Sequence, residues 1–147
     1  MNWINLFTSF EGRINRQPFW IAIVVLAVIE GIAALVNQQI DNDRIGAVID
    51  LVILYPEFAV AAKRGHDRNI STWVVGIFFA LGAVFDLLLL TGVLKTANVE
   101  DSSNLIFIIF IPLGLFALVL FVDLGFRRGT RGANRFGPDP LDATPAR

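Results

Sequence analysis

The stretch "FWIAIVVLAVIEGIAALV", residues 19–36, carries one charged side chain, Glu30, among 18 residues. A soluble domain would interrupt such a run with polar residues at a period of 2 or 3.6. At 1.5 Å per residue, a helix of this length spans about 27 Å, close to the ~30 Å hydrocarbon core of a bilayer. Because backbone groups in lipid must bond within their own segment, the stretch is predicted to be a transmembrane helix.

Three further apolar blocks of similar length follow, at residues 45–62, 73–94 and 105–126. The four blocks predict an all-α membrane protein, a four-helix transmembrane bundle. One domain is predicted over residues 1–140, followed by a flexible C-terminal tail over residues 141–147. The four helices are expected at residues 18–38, 45–63, 72–94 and 105–126.

The segment before the first block carries a shorter apolar pattern. In "MNWINLFTSFEG", large apolar side chains recur at the spacing of one helix face, at Trp3, Leu6, Phe7 and Phe10. A short helix with such a face suits the boundary between lipid and water, so an interfacial N-terminal helix is predicted. The alternative is a terminal turn that packs on the bundle. Gly12 is expected to end this helix.

Positive charge is distributed unevenly between the two ends of the predicted bundle. Of the 12 Lys and Arg residues, only Arg44 and Lys95 fall in the connections after the first and third helices. The others lie in the N-terminal segment, at residues 63–71, and after Phe126. Because positively charged loops stay in the cytoplasm, both termini are predicted to be cytoplasmic.

The stretch "AAKRGHDRN", residues 61–69, contains the single histidine of the chain. As a catalytic pair, His66 would be a general base oriented by Asp67, but no nucleophile motif accompanies them. A transition-metal site needs more ligands than one His and no Cys supply. Carboxylate sites for Mg²⁺ or Ca²⁺ stay open, and no metal or cofactor is predicted. The third interpretation is a cytoplasmic connector, with Lys63 and Arg64 at the lipid phosphates.

Three motifs, read in order, resemble one family. They are "FEGRINRQPFW" (10–20), "KRGHDRNISTW" (63–73) and "RGANRFGPDP" (131–140). Together they are similar to the YhaH-like inner-membrane proteins, the family called domain of unknown function 805, over residues 7–140. The matching positions are Gly12, Arg13, Arg16, Phe19, Trp20, Arg64, His66, Asp67, Ser71, Trp73, Asn134, Gly137, Pro138, Asp139 and Pro140.

The resemblance implies a small multi-pass protein of the bacterial inner membrane. It implies no activity, since the family has no established biochemical function. In the predicted topology all three motifs lie on the cytoplasmic side, so we expect them to pack together into one polar structure. Gly65 departs from the family pattern, in which a leucine-like residue is usual. The expected ion pairs join Asp67 or Asp139 with Arg13, Arg16 or Arg135.

Five carboxylates fall inside the predicted helices, where ionised groups are costly and often functional. Two of them have a basic residue within helical reach. Glu57 lies seven residues before Arg64 on the same predicted face, and Asp123 lies four residues before Arg127. Both acids are therefore predicted to form structural ion pairs.

The other three acids, Glu30, Asp50 and Asp86, are expected at similar depth in the outer third of the membrane. No Lys, Arg or His of the predicted helices lies at that level. Three ionised carboxylates in a low dielectric would repel, so they must be partly protonated, hydrated or holding a cation. The hypothesis is a proton- or cation-responsive polar cavity. The alternative is that these acids face outer-loop water or a partner subunit.

Three functions are compatible with the sequence. The preferred one is a non-enzymatic scaffold, or a module that binds a protein partner or membrane lipids, including anionic headgroups, through its basic cytoplasmic side. The second is a small proton- or cation-coupled transporter or channel that uses Glu30, Asp50 and Asp86. The third is a membrane enzyme that uses His66 and Asp67. A homo-oligomer is an open alternative, and nucleic acid is not an expected partner.

Overall fold

The computed structural model describes residues 2–40, 43–93 and 103–142, and its regular structure there is helical. An isolated β-bridge joins Asn134 and Gly137. The end of the third predicted helix, the outer-loop residues Asp41, Lys95, Glu100 and Asp101, and the tail from residue 143 lie outside the described residues. The helices are α1 (Trp3–Thr8), α2 (Arg16–Ile40), α3 (Asp43–Asp67), α4 (Thr72–Thr91) and α5 (Ser103–Phe126).

Three of these helices are long and apolar enough to cross a membrane, over Arg16–Ile40, Arg44–Asp67 and Thr72–Thr91. Many of their large apolar side chains are exposed, as Leu35 and Val52 are at 64% and 69%. Such surfaces suit hydrocarbon rather than water. In α5 the described apolar stretch, Ile111–Phe126, is shorter.

Helix α3 extends four residues beyond its predicted end, so residues 63–67 form its last turns and not a loop. Helix α3 is closed after Asp67 by Asn69, which adopts a left-handed φ of 59°. The N–H of Asn69 donates to the carbonyl of His66, and that of Ile70 to the carbonyl of Gly65. This pair of bonds is the Schellman motif, in which asparagine can replace the usual glycine. The basic residues of this stretch are therefore held in helical register.

Helix α3 lies at the centre of the protein and contacts all four other helices. Small side chains allow this close packing, since Ala59, Ala61 and Ala62 are all buried. The apolar core forms around this part of α3. It consists of Leu6, Phe19, Ala22, Leu26, Ile53, Val60, Ala61, Val75 and Leu124.

Helix α1 packs on the bundle with the face that was predicted to enter the membrane interface. Leu6 is 3% exposed in the core, and Phe10 packs against the rings of Tyr55 and Phe58. Ile4, on the other side, is 76% exposed. The contacts thus match the alternative of a terminal segment packed on α3. The prediction that Gly12 ends this helix is wrong, because α1 already stops at Thr8.

Candidate functional site

One buried carboxylate, that of Asp67 in the last turn of α3, lies between two arginines. Its Oδ1 accepts hydrogen bonds from Arg13 Nη2 at 3.0 Å and from Arg13 Nε at 3.2 Å. Its Oδ2 forms an ion pair with Nη1 of Arg64. The side chains of Arg13, Arg64 and Asp67 are 1%, 0% and 4% exposed. Two buried guanidinium groups thus share one counter-charge, and both depend on it.

Arg13 also joins α3 to the segment that follows α5. Its Nη1 donates to the carbonyls of Gly132 at 2.8 Å and Gly137 at 3.1 Å, and its Nη2 donates to that of Thr130 at 2.7 Å. A guanidinium group can do this because it offers five N–H donors in a planar fork. All three sequence motifs therefore meet at one side chain. We call the assembly of residues 12–16, 63–72 and 127–139 the polar cap.

Lys63 and Arg64 point into the protein, so the prediction that they lie at lipid phosphates is wrong. Lys63 is 2% exposed, and its Nζ donates to backbone carbonyls of α1. Arg64 donates from Nε and Nη2 to the carbonyls of Leu124 and Arg127, both at 2.6 Å. The last carbonyls of a helix lack an intrahelical partner. Both side chains therefore satisfy backbone groups of neighbouring segments instead of facing lipid.

His66 is enclosed by groups from each part of the polar cap. Its Nδ1 donates to the carbonyl of Gly12 at 3.0 Å, and its Nε2 accepts from Thr72 Oγ1 at 2.6 Å, as the neutral tautomer allows. Its ring stacks on Phe136 with centroids 3.9 Å apart. Its backbone carbonyl accepts from Asn134 Nδ2 at 2.9 Å. Both ring nitrogens thus have structural partners.

The segment after α5 folds around Asp139. The carboxylate of Asp139 accepts from the backbone N–H groups of Gly132 and Leu141, each at 3.0 Å. No ion pair of Asp139 with Arg13, Arg16 or Arg135 is formed within the described residues.

Gly129, also in the segment after α5, lies so close to Asp67 that a Cβ added there would overlap the carboxyl group of Asp67.

Acid should loosen this C-terminal segment. The N–H of Leu141 and that of Gly132, helped by the charges of Arg13 and Arg128, hold the pKa of Asp139 below its ordinary value of 3.8. A lowered pKa means that the ionised group stabilises the fold above pH 3.8 and loses this effect as the pH falls through the folded-state pKa. We expect the melting temperature to fall more for the wild type than for Asp139→Asn between about pH 5 and about pH 3. Parallel falls would contradict this role.

A second ion cluster lies where α5 ends. Asp123 Oδ1 accepts from Arg127 Nη1 at 2.8 Å, so the i, i+4 pair predicted for these residues is present. Arg68 adds a second cation, with its Nε 3.2 Å from Asp123 Oδ2. No ion-pair partner for Arg68 was predicted from the sequence. Its position follows from the end of α3, which turns the side chain toward α5.

The remaining motif residues support the polar cap or border it. Arg16 Nη1 donates to the carbonyl of Phe126 at 3.3 Å, and Trp20 Nε1 to that of Gly125 at 3.1 Å. Phe19 lies in the core. Ser71 is the N-cap residue of α4 without a side-chain cap bond, and Trp73 is 80% exposed. Pro138 is also exposed, and Arg135 donates to the carbonyl of Asn69 and lies over the ring of Phe136.

The acids inside the helices are grouped differently from the prediction. The carboxyl group of Glu57 lies within hydrogen-bond reach of that of Glu30, and Asp50 acts on it electrostatically. No basic group acts on Glu57 within the described residues, and Arg64 is engaged elsewhere. The predicted ion pair of Glu57 with Arg64 is therefore not formed.

Asp50 connects this acid pair to Asp86. It acts electrostatically on Asp86 as well as on Glu57. Asp86 on α4 is 9% exposed, and its carboxyl group makes no hydrogen bond within the described residues. No three His, Asp or Glu side chains in this part of the chain are arranged to hold a metal ion.

A cavity of about 430 Å³ lies beside Glu57, where α2, α3, α4 and α5 meet. Its wall is apolar and aromatic, with Phe19, Phe78, Phe79 and Phe121 among its lining residues. Glu57 is the one ionisable side chain on this wall within the described residues. The cavity therefore combines an apolar volume of ligand size with a single acid.

A family model described as "Protein of unknown function (DUF805)" matches residues 7–138. The chain belongs to the DUF805 family. This match confirms the resemblance carried by the three sequence motifs. With the long apolar helices, DUF805 membership identifies the chain as a membrane protein, in a family whose molecular function is not assigned.

Two relatives from Escherichia coli (strain K12) align with 91% of this chain. The "Uncharacterized protein YiiR" is 31% identical over 137 residues, which cover 87% of its own length. The "Inner membrane protein YhaH" is 25% identical over 141 residues, which cover 88% of its length. No solved structure matches the chain.

Proposed function

We propose that this DUF805 protein is a multi-pass inner-membrane protein with four spanning helices and both termini in the cytoplasm. The uneven charge distribution supports this orientation, since the polar cap gathers the basic residues of three segments at one end of the bundle. The proposed function is non-enzymatic. The polar cap acts as a rigid scaffold that binds anionic lipid headgroups at the cytoplasmic face.

A polar pocket in the polar cap carries this proposal. Its volume is about 120 Å³, and Arg16 and Arg128 border it together with Thr130. Arg64, Asp67 and Asp139 also line it, but these three are already bonded within the protein. The side chains of Arg16 and Arg128 are exposed, and Arg128 makes no side-chain hydrogen bond within the described residues. Two cations beside a preformed recess suit a phosphate group.

The lipid-binding proposal predicts a selective loss on charge removal. Each basic group near an anionic surface contributes about 1 kcal/mol, so Arg16→Gln with Arg128→Gln should weaken phosphatidylglycerol binding about tenfold or more. Native mass spectrometry of the purified protein with phosphatidylglycerol and phosphatidylcholine measures this. The control is Arg131→Gln, an exposed arginine outside the pocket. Equal binding by the wild type and the double variant would contradict the proposal, as would an equal loss in the control.

The engagement of His66 supports a non-enzymatic role over catalysis. A general base takes a proton from a substrate or nucleophile that lies within hydrogen-bond reach of a ring nitrogen. Here Gly12 and Thr72 occupy both nitrogens, and Phe136 covers one face of the ring. We therefore assign His66 to the architecture of the polar cap.

Proton- or cation-coupled transport is the second candidate function, and the contact between Glu30 and Glu57 favours it. Neighbouring acids without a basic partner among the described residues can exchange a proton for a cation. The test is proton flux in proteoliposomes for the wild type and for Glu30→Gln with Glu57→Gln, with Asp142→Asn as an exposed control. Flux lost in the double variant alone would support coupling, and absence of flux in the wild type would contradict it.

A further inference from the structure

We infer that the cavity beside Glu57 is a binding site for a lipophilic organic cation, such as an aromatic ammonium or phosphonium ion. This inference rests on the second candidate function, because it uses the same acid. The binding site differs from the transport function because it requires only equilibrium binding of the cation and not its movement across the membrane.

The place and size of the cavity suit a small organic ligand. It lies between four helices, and its volume of about 430 Å³ falls within the range of small-molecule sites in proteins. All four helices contribute to its wall, including Ile23 of α2, Ala61 of α3, Gly82 of α4 and Ala117 of α5. A ligand there would contact every long helix of the protein.

The apolar and aromatic wall of the cavity favours an organic ligand over a hydrated ion. Apolar side chains form nearly all of it, so a hydrated ion such as Na⁺ would lose its water without gaining enough ligands. Four phenylalanines line it, and their ring faces attract a cation within about 6 Å. An aromatic cation therefore gains both apolar burial and cation–π contacts.

The acidic side chains at and near the cavity wall favour a cation as the ligand. Glu57 supplies the one carboxyl group on the wall within the described residues, and its electrostatic neighbours Glu30 and Asp50 are acids as well. A neutral apolar occupant, such as a lipid acyl chain, would leave this group of acids without a cationic partner. An anion would be repelled. A monovalent lipophilic cation satisfies the carboxylate and fills the apolar volume.

The test uses two probes of the same shape and opposite charge, tetraphenylphosphonium and tetraphenylborate. Equilibrium dialysis with the full chain in detergent micelles should show saturable binding of tetraphenylphosphonium, and at least about tenfold weaker binding of tetraphenylborate. Glu57→Gln keeps the shape and removes the charge, so it should weaken tetraphenylphosphonium binding by at least about tenfold. Asp142→Asn, an exposed acid outside the cavity wall, is the control and should leave the affinity within about twofold.

A second variant addresses the volume of the cavity. Ala117→Phe places a ring in the cavity from α5 and should abolish binding while circular dichroism shows unchanged helix content. The inference is overturned by equal affinity for both probes, by wild-type affinity in Glu57→Gln or Ala117→Phe, or by no saturable tetraphenylphosphonium binding to the wild type. Binding without proton flux would reject the transport function and retain the site.

Discussion

Asp67→Asn should lower the free energy of unfolding by about 3–5 kcal/mol. The amide keeps the size of the carboxyl group but removes the carboxylate that forms ion pairs with both Arg13 and Arg64, whose side chains are 1% and 0% exposed. An uncompensated charge in such a position is far more costly than the loss of a surface ion pair. Denaturant titration in detergent micelles, followed by tryptophan fluorescence, measures the change.

Asp142→Asn is the matched control for this variant. Asp142 is exposed near the end of the described chain, so its substitution should change the free energy of unfolding by no more than about 0.5 kcal/mol. If both variants unfold at the same denaturant concentration, Asp67 does not hold the polar cap together.

Gly129→Ala is expected to have the second largest effect, a loss of about 3 kcal/mol. The added methyl group would overlap the carboxyl group of Asp67, which cannot move away freely because two arginines hold it. The control is Gly114→Ala in α5, where the added carbon meets no group of the described residues within 4 Å beyond its own helix backbone and chain neighbours. Alanine favours a helix over glycine by up to about 1 kcal/mol, so the control should be neutral or stabilising.

A double variant shows whether the loss in Gly129→Ala comes from this overlap. In an Asp67→Ala background the carboxyl group is absent, so adding Gly129→Ala should cost less than about 1 kcal/mol further. Thermal unfolding of the four proteins in one detergent gives the comparison. A full additive penalty in that background would show that Gly129 is required for its own backbone and not for the space it leaves.

The sequence predicts the long helices because uninterrupted apolar blocks of about 18 residues have few alternatives in lipid. It fails at the end of α3, where Lys63 and Arg64 look like a water boundary. Their burial depends on carbonyl groups of α1 and α5, which are distant in the chain. Sequence spacing does not show which carbonyl groups will need a donor.

The contacts of the polar cap and of the acids inside the helices could be predicted only in part, for the same reason. The contact between Asp67 and Arg13 was among the expected pairs, since three basic motifs at one membrane face need internal acids. The contact between Glu57 and Glu30 was not expected, because helical spacing along α3 pointed to Arg64. Arg64 instead satisfies the end of α5, which leaves Glu57 facing α2. Such competition between partners is decided by packing between helices and not by spacing within one helix.

We expect Arg13 and Asp67 to join the N-terminal motif, the end of α3 and the C-terminal segment into one cooperative structure. A double-mutant cycle with Arg13→Gln, Asp67→Asn and the combined variant tests it most directly, using the free energy of unfolding in one detergent. We expect a coupling energy of about 2–3 kcal/mol between the two residues. Additive losses, within about 0.5 kcal/mol, would show that the two side chains do not depend on each other and would contradict the account.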